Sequence, residues 1–531
     1  MIAPAPSLSS SLTPAVPGRP VVALVKISSK DGMKFPPYSI WYVGTALKKA
    51  GYDPRLFHVY PEQIDETLEK IKALNPVWVG FSTFTADSLR ANADLSRKVK
   101  AAGFPTVWGG IHPSLCPEDC LKEDYIDVVC VGEGEETSMD ITRMFLGELK
   151  PAEVQGIGWK DAAGMHMNAG RPVIKDLDKY WFDWDLLDIE RYFRPYWGDR
   201  QRVFHVITSR GCPYKCGFCY IASSTDYRKW RGHSPELVIR QIKEFKERYG
   251  IDGVFFQDDN FAVKRDRALK IVGDIDMPSF FEIRADNIDD DFAAKLSKTR
   301  TREIFMGLES GSDRILKLVS KDATVADMEN AVRVMSKYPD IMLSISIIYA
   351  YPGESHEEFL QTCRFVDDML KLKPNMSITG GFFIPYPGAP LFHNCVDLGF
   401  KPFKRTEDWD ALDRWGNFEE TLDLTWTDWM TVRKAAAIRK LLQVTSFAYK
   451  FNVPWLKQVA SKKLRVGDPS PHPLIDSITR FRSFYNRKLY KYRPLRTIKH
   501  VLAGFGARSA AKKVEALADS AAMVPGQPVE R

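Results

Sequence analysis

The sequence predicts an α/β protein: an N-terminal doubly wound parallel sheet, a second alternation of strands and helices forming a partial or full β/α barrel, and a mainly helical basic region. Three observations predict it. Short apolar runs alternate with amphipathic stretches from Val21 to about Gly147. The alternation resumes at Val203 and runs to about Gly399, with polar residues ending each apolar run. Three cysteines stand on one loop directly behind the first strand of that second set.

In the first set, Val21–Ile27, Arg55–Val59, Val77–Ser82, Thr106–Gly109 and Val128–Val131 read as strands, with Ile64–Leu74 and Ser88–Ala102 as helices between them. Apolar strands of this kind, separated by helices, form parallel sheets covered on both faces. Ligands of such sheets bind beyond the carboxyl ends of the strands. Ser82, Thr83 and Thr85 follow the third strand, Gly109, Gly110 and His112 the fourth, and Gly132, Glu133 and Gly134 the fifth. Glycines there allow a close approach of backbone to ligand, and the hydroxyls can hydrogen-bond it. The domains are therefore expected at 21–147 for the first sheet, 148–202 for a connector, 203–399 for the barrel and 400–502 for a helical C-terminal domain. The connector contains one hairpin-like stretch, Ile157–His166.

A chain of 531 residues, 44% hydrophobic and 27% charged, is an ordinary globular protein with room for two or three domains. No apolar run reaches the roughly 18 residues that span a bilayer. Residues 1–20 are rich in Pro, Ser and Ala and read as a disordered leader, and 503–531 as a mobile tail. Eight cysteines without a secretory signal indicate a reducing, cytoplasmic setting and exclude a disulfide framework. The net charge of +7 is uneven: residues 431–513 hold 20 Lys and Arg against Asp468 and Asp476, a net +18, so the remainder sums to −11. That basic region is interleaved with aromatics such as Phe447, Tyr449, Trp455 and Tyr485. It reads either as a solvated helical face or as a surface for an anionic membrane.

Cys212, Cys216 and Cys219 are spaced C-x3-C-x2-C within the run Thr208–Tyr220. Three thiolates on one tight loop can hold three corners of a cubane iron–sulfur cluster, which normally takes four cysteines. One iron is then open, and an open metal position is where a substrate or cofactor binds. A zinc site would need a fourth Cys or His at short spacing, and His233 and Cys363 are not so placed. Cys116, Cys120, Cys130, Cys363 and Cys395 read as small buried residues.

This run resembles the signature of the radical S-adenosylmethionine (radical SAM) enzymes. The resemblance implies a [4Fe-4S] cluster whose open iron chelates SAM and whose electron cleaves SAM to an adenosyl radical. It implies SAM contacts by Tyr220 near adenine, by Gln257, Asp258 and Asp259 at the methionine amino group, and by Arg284 and Glu309 at the carboxylate and ribose side. From the residues alone, Asp258–Asn260 would also serve as a helix N-cap, and Arg284 as a structural ion pair. Glu309–Leu316 and Pro385–Pro390 resemble the cobalamin-linked members, and the glycine- and hydroxyl-bearing loops of the first domain resemble their cobalamin-binding domain. The loop Ser28–Pro37 lacks the histidine that ligates cobalt in the classical form, so the lower face of cobalt is expected to be without a protein ligand. His112 is expected to meet corrin side chains or phosphate. The alternative is a flavodoxin-like domain that has lost its ligand. Ala350 stands where relatives usually carry glycine and is expected to narrow the barrel mouth. Trp409, Trp415, Trp426 and Trp429 are expected to close the barrel and shape the substrate pocket.

The resemblance implies a cobalamin-dependent enzyme that C-methylates an unactivated carbon of a small-molecule intermediate, such as a lipid, isoprenoid or tetrapyrrole, with flavodoxin or ferredoxin as electron donor. Oxidative ring formation without methyl transfer uses the same motifs and stays open. A tRNA methylthiotransferase fits less well, because the five remaining cysteines form no second triad at their amino end. Nucleic acid is not an expected partner.

Overall fold

The computed structural model describes residues 18–29, 32–196, 200–224, 226–412, 424–468 and 470. Most of the expected leader, the whole expected tail, Trp415 and the basic segment after residue 470 lie outside the described residues.

The first sheet contains β1 (Val21–Ile27), β2 (Asp53–Val59), β3 (Trp78–Thr83), β4 (Thr106–Gly110), β5 (Val128–Cys130), β6 (Ile157–Asp161) and β7 (Gly164–Met167), in the order β2-β1-β3-β4-β5-β6-β7. The first five are parallel, and β1 pairs with both β2 and β3. Chain order therefore reverses between β1 and β3, which opens a crevice beyond their carboxyl ends. The expected hairpin is β6–β7, but it belongs to this sheet, because β6 pairs antiparallel with β5. An uncovered β5 would leave a row of backbone groups unpaired. Helix Ile64–Leu74 buries Ile64, Thr67 and Ile71, three and four residues apart, and ends at Asn75 in the left-handed region.

The second sheet is β8 (Arg194–Tyr196), β9 (Arg200–Val206), β12 (Gly253–Phe256), β13 (Ser279–Ile283), β14 (Thr301–Glu309), β15 (Met342–Tyr349) and β16 (Met376–Phe382), with a short separate ribbon of β10 (Ser209–Arg210) and β11 (Arg231–Gly232). Its order is β16-β15-β14-β13-β12-β9-β8, parallel except for β8. Among the described residues β16 does not pair with β9, so the barrel is open. Its helices start where the local chemistry dictates: Ser355 and Glu358 form a capping box ahead of His356–Leu372. Phe256, Phe261, Phe281 and Phe292 are fully buried within the barrel core.

Helix Val432–Lys450 packs along β16 with Ile438, Leu441 and Leu442 inward, and helix Pro454–Arg465 packs on it through Leu456, Ala460 and Leu464. The described part of the basic region thus has an apolar inner side, while Trp455 is exposed. Residues 406–412 return to the first sheet, where Asp410 accepts hydrogen bonds from Leu89 N and Arg90 N at 2.8 Å each. Among the described residues no helix is long and apolar enough to cross a membrane.

Candidate active site

The carboxyl ends of β1, β3, β4 and β5 face the cysteine loop across a cavity of about 470 Å³. Its inner part is apolar, with Leu24, Trp78, Gly80, Val107 and Ile141 between the sheet and helices Tyr38–Lys49 and Gly134–Phe145. Its mouth is polar and glycine-rich. Gly110 has φ +95°, and a Cβ there would lie 2.5 Å from Thr83 O, so only glycine fits. A Cβ on Gly132 would meet nothing within 4 Å, so backbone is bare at that loop.

Ser82, Thr83, Gly109, Gly110, Gly132, Glu133 and Gly134 all line this cavity. Thr85 and His112 do not. His112 is fully buried; its Nδ1 bonds Thr85 Oγ1 at 3.0 Å and its ring lies 6.0 Å from that of Trp409. The short helix Ile111–Leu115 turns the imidazole away from the cavity, and burial pushes it down to about 4, so it is neutral. His112, expected to meet corrin or phosphate, thus lies outside the cavity. Glu133 lines the cavity, but its carboxylate accepts from Arg210, Arg231 and Ile174 N.

Cys212, Cys216 and Cys219 line a second cavity of about 190 Å³, together with Asp259, Arg284, Glu309 and Lys321. Gly211 opens their loop at φ +83°, and a Cβ there would lie 2.6 Å from Tyr227 O. Burial pushes all three thiols up, Cys219 to about 12, so each must lose a proton to ligate metal. Among the described residues no three His, Cys, Asp or Glu side chains converge on a single ion. Three thiols around a shared cavity suit a cluster that offers each a separate iron.

Arg284 is fixed between groups: it pairs with Asp286 at 2.9 Å, donates to Lys321 O and Cys216 Sγ (3.6 Å), and its guanidinium lies 3.6 Å from the ring centre of Tyr214. Arg284 is therefore ion-paired, as expected, and also lines the cavity. Lys321, to which the sequence reading gave no binding role, donates to Glu309 at 2.8 Å. Its spacing of twelve residues from Glu309 carries no periodic signal.

Asp258 is 1% exposed and accepts from Thr208 N, Thr208 Oγ1 and Ser209 Oγ at 2.5–2.7 Å. Neither cavity includes it; it stitches the end of β12 to the end of β9. No helix starts there either, since the next begins at Arg265 with no side-chain cap, so the N-cap reading also fails. Asp259 lines both cavities and accepts from Gly211 N at 2.9 Å. Gln257 and Tyr220 line the larger cavity; Gln257 bonds His205 Nδ1 at 3.2 Å, and Tyr220 meets Phe84 and Tyr386 edge-on.

Ala350, with φ +63°, is fully buried and lines neither cavity, so it does not narrow the mouth. Trp426 Nε1 donates to Ala350 O at 2.7 Å and Trp429 Nε1 to Glu354 O at 2.6 Å. These tryptophans brace the loop after β15; they and Trp409 line neither cavity.

The residues fit the groups that the motifs imply. An apolar slot opening on a bare glycine-rich loop suits a large corrinoid, and three half-buried thiols beside Arg284 and Lys321 suit an iron–sulfur cluster with an anionic ligand.

The profile of the B12-binding domain matches residues 26–142, and that of the radical SAM superfamily matches 206–366. An uncharacterized methyltransferase of Pyrococcus horikoshii is 27% identical over 69% of this chain and 79% of its own length. The anaerobic magnesium-protoporphyrin IX monomethyl ester cyclase of Cereibacter sphaeroides is 25% identical over 68% of this chain, which spans 61% of the cyclase. The structure of OxsB, a cobalamin-dependent S-adenosylmethionine radical enzyme with aqua-cobalamin and S-adenosylmethionine bound, shares the fold with a TM-score of 0.62 at 16% identity, over 96% of this chain and 82% of OxsB. The chain thus joins a B12-binding domain to a radical SAM domain, and the cofactors of that pairing are a [4Fe-4S] cluster, S-adenosylmethionine and cobalamin.

Proposed function

We propose that this enzyme C-methylates an unactivated carbon of a small molecule. One observation carries the reading: the two cavities share a wall, because Ile221 and Asp259 line both. Groups held on the two sides of one side-chain layer can act on one substrate atom placed between them. When bound, the cluster supplies the electron that cleaves SAM, and cobalamin supplies the methyl group.

The chain's own residues do the rest. Cys212, Cys216 and Cys219 would hold the cluster, and Arg284 and Lys321 would meet the SAM carboxylate. Asp259, oriented by Gly211 N, would accept from the SAM amino group. Phe84, Tyr220 and Tyr386 form an aromatic cluster from three loops, which keeps water from a radical. A third cavity of about 1050 Å³ shares Glu282 and Phe305 with the cysteine cavity and extends from them to the amino ends of β13, β14 and β15.

The test uses anaerobically reconstituted enzyme, trideuteromethyl SAM and candidate substrates. Methylation consumes two SAM molecules, so S-adenosylhomocysteine and 5'-deoxyadenosine should form in equal amounts, with label in the product. Deoxyadenosine without S-adenosylhomocysteine or label overturns methylation and favours ring formation, the reading supported by the cyclase relative. Changing all three cysteines to Ala should remove about four irons and leave the corrinoid bound.

As substrate class we propose a hydrophobic or anionic molecule, such as an isoprenoid or tetrapyrrole, met at a membrane surface. Exposed Trp455 and exposed Lys462, two helical turns apart on helix Pro454–Arg465, support this. Sedimentation with anionic liposomes should be lost at high salt, and no binding at low salt removes the argument. A flavodoxin or ferredoxin would supply the electron.

A further inference from the structure

Arg210 and Arg231 are partners across the β10–β11 ribbon. Like charges directly opposite on an antiparallel pair repel, and a ribbon two residues long has no packing need for either. Their partners lie in the first domain, in the loop after β5 and in helix Gly134–Phe145. Glu133 accepts from Arg231 Nη1 through both oxygens at 2.9 Å and from Arg210 Nη1 at 3.0 Å. Glu135 accepts from Arg210 Nη2 at 2.5 Å, and Arg210 lies over the Tyr42 ring at 4.3 Å. All four charged side chains are less than a fifth exposed, and their charges balance.

The two ends of this network are the loops that matter. Glu133 lies between Gly132 and Gly134 at the mouth of the corrin cavity, and Arg210 directly precedes Gly211 and Cys212. Gly132, at φ +87° with open space around it, gives its loop conformational freedom. Gly132 N donates to Ser114 Oγ at 3.0 Å, and beyond that bond the grip on the Glu133 and Glu135 side chains sets where the corrin loop stands.

We infer that Arg210 and Arg231 are positioning residues that join the corrin loop to the cysteine loop, so that a bound cluster raises the affinity for cobalamin and the two cofactors stay in register. Ordering the cysteine loop through Cys212 orders Arg210, which orders Glu133 and the corrin loop. The coupling is reciprocal, as any linkage between binding sites must be. This rests on the proposed methylation only for its effect on turnover; the affinity coupling stands on the cofactors alone.

The test is a cobalamin titration followed by absorption, on the same protein before and after cluster reconstitution. Wild type should bind cobalamin at least about fivefold more tightly with the cluster. In Arg231→Gln the two affinities should agree within about twofold, while iron content and circular dichroism match wild type, and Arg231→Lys should restore part of the difference. Glu133→Gln, nearly isosteric, should abolish the coupling in the same way and serves if Arg231→Gln does not fold. No coupling in wild type, or full coupling in either charge-removing variant, overturns the inference. In turnover, Arg231→Gln should release more 5'-deoxyadenosine than S-adenosylhomocysteine. If wild type makes no S-adenosylhomocysteine, the methylation reading fails while the affinity coupling is still measured.

Discussion

Lys321 Nζ lies 2.8 Å from Glu309 Oε1 at the wall of the cysteine cavity, and both side chains are less than a tenth exposed. A buried pair gains little over apolar residues of the same size, but removing one partner strands the other charge. Lys321→Met should therefore cost about 3–5 kcal/mol, with less lost when Glu309→Gln is added. Chemical denaturation of the two single variants and the double variant checks this; additive losses would show that the pair is not coupled.

Gly307 makes that pair possible. A Cβ there would clash with Glu309 Oε1 and stand 3.0 Å from Lys321 Nζ. Gly307→Ala should leave the fold and iron content intact but displace the pair and weaken SAM binding at least about tenfold, the effect of roughly 1.4 kcal/mol. The change that SAM makes in the EPR spectrum of the reduced cluster, followed against SAM concentration, is the measurement.

Glu354 is buried behind the same region. Its Oε2 accepts from Ala350 N at 2.7 Å, its Oε1 has no hydrogen-bond partner among the described residues, and burial raises its carboxyl to about 8. A carboxyl raised above its ordinary 4.5 contributes stability that is fully present below that value and is lost as pH rises through 8. Glu354→Gln keeps the acceptor without the charge. Its melting temperature should therefore gain on wild type between about pH 5 and pH 9; a difference that does not change with pH refutes this.

Helix Leu89–Ala101 has no cap from Ser88, which sits in the left-handed region; Asp410, far along the chain, supplies the acceptor. Asp410→Ala should cost about 1 kcal/mol, as loss of an N-cap does, and Asp410→Asn much less. Thermal melts compare them. Equal loss in the two variants would place the effect in the charge instead of the cap.

Features set by neighbours along the chain were legible in the sequence. The apolar strands, helix Ile64–Leu74 with its 3.6-residue period, and the glycine-rich strand ends follow from local spacing. The three cysteines were legible too, because a seven-residue reach already confines them to one loop. Which way a side chain points from such a loop is not local. Asp258 and Asp259 are adjacent, yet packing of β12 against β9 turns Asp258 into Thr208 and Ser209 and leaves Asp259 in both cavities. His112 is turned away by Thr85 and Trp409, and Lys321 reaches Glu309 across a turn.

The sequence by itself determined the two sheets, the cysteine loop and the class of chemistry, because these rest on periodicity and on residue types close together in the chain. Only the tertiary structure decided which residues face a ligand and how the two sites meet. The Arg210–Glu133 link, Asp410 on its distant helix, and the wall shared through Ile221 and Asp259 all join segments far apart in sequence. Their geometry is set by how the packed elements lie against one another, which no local pattern encodes.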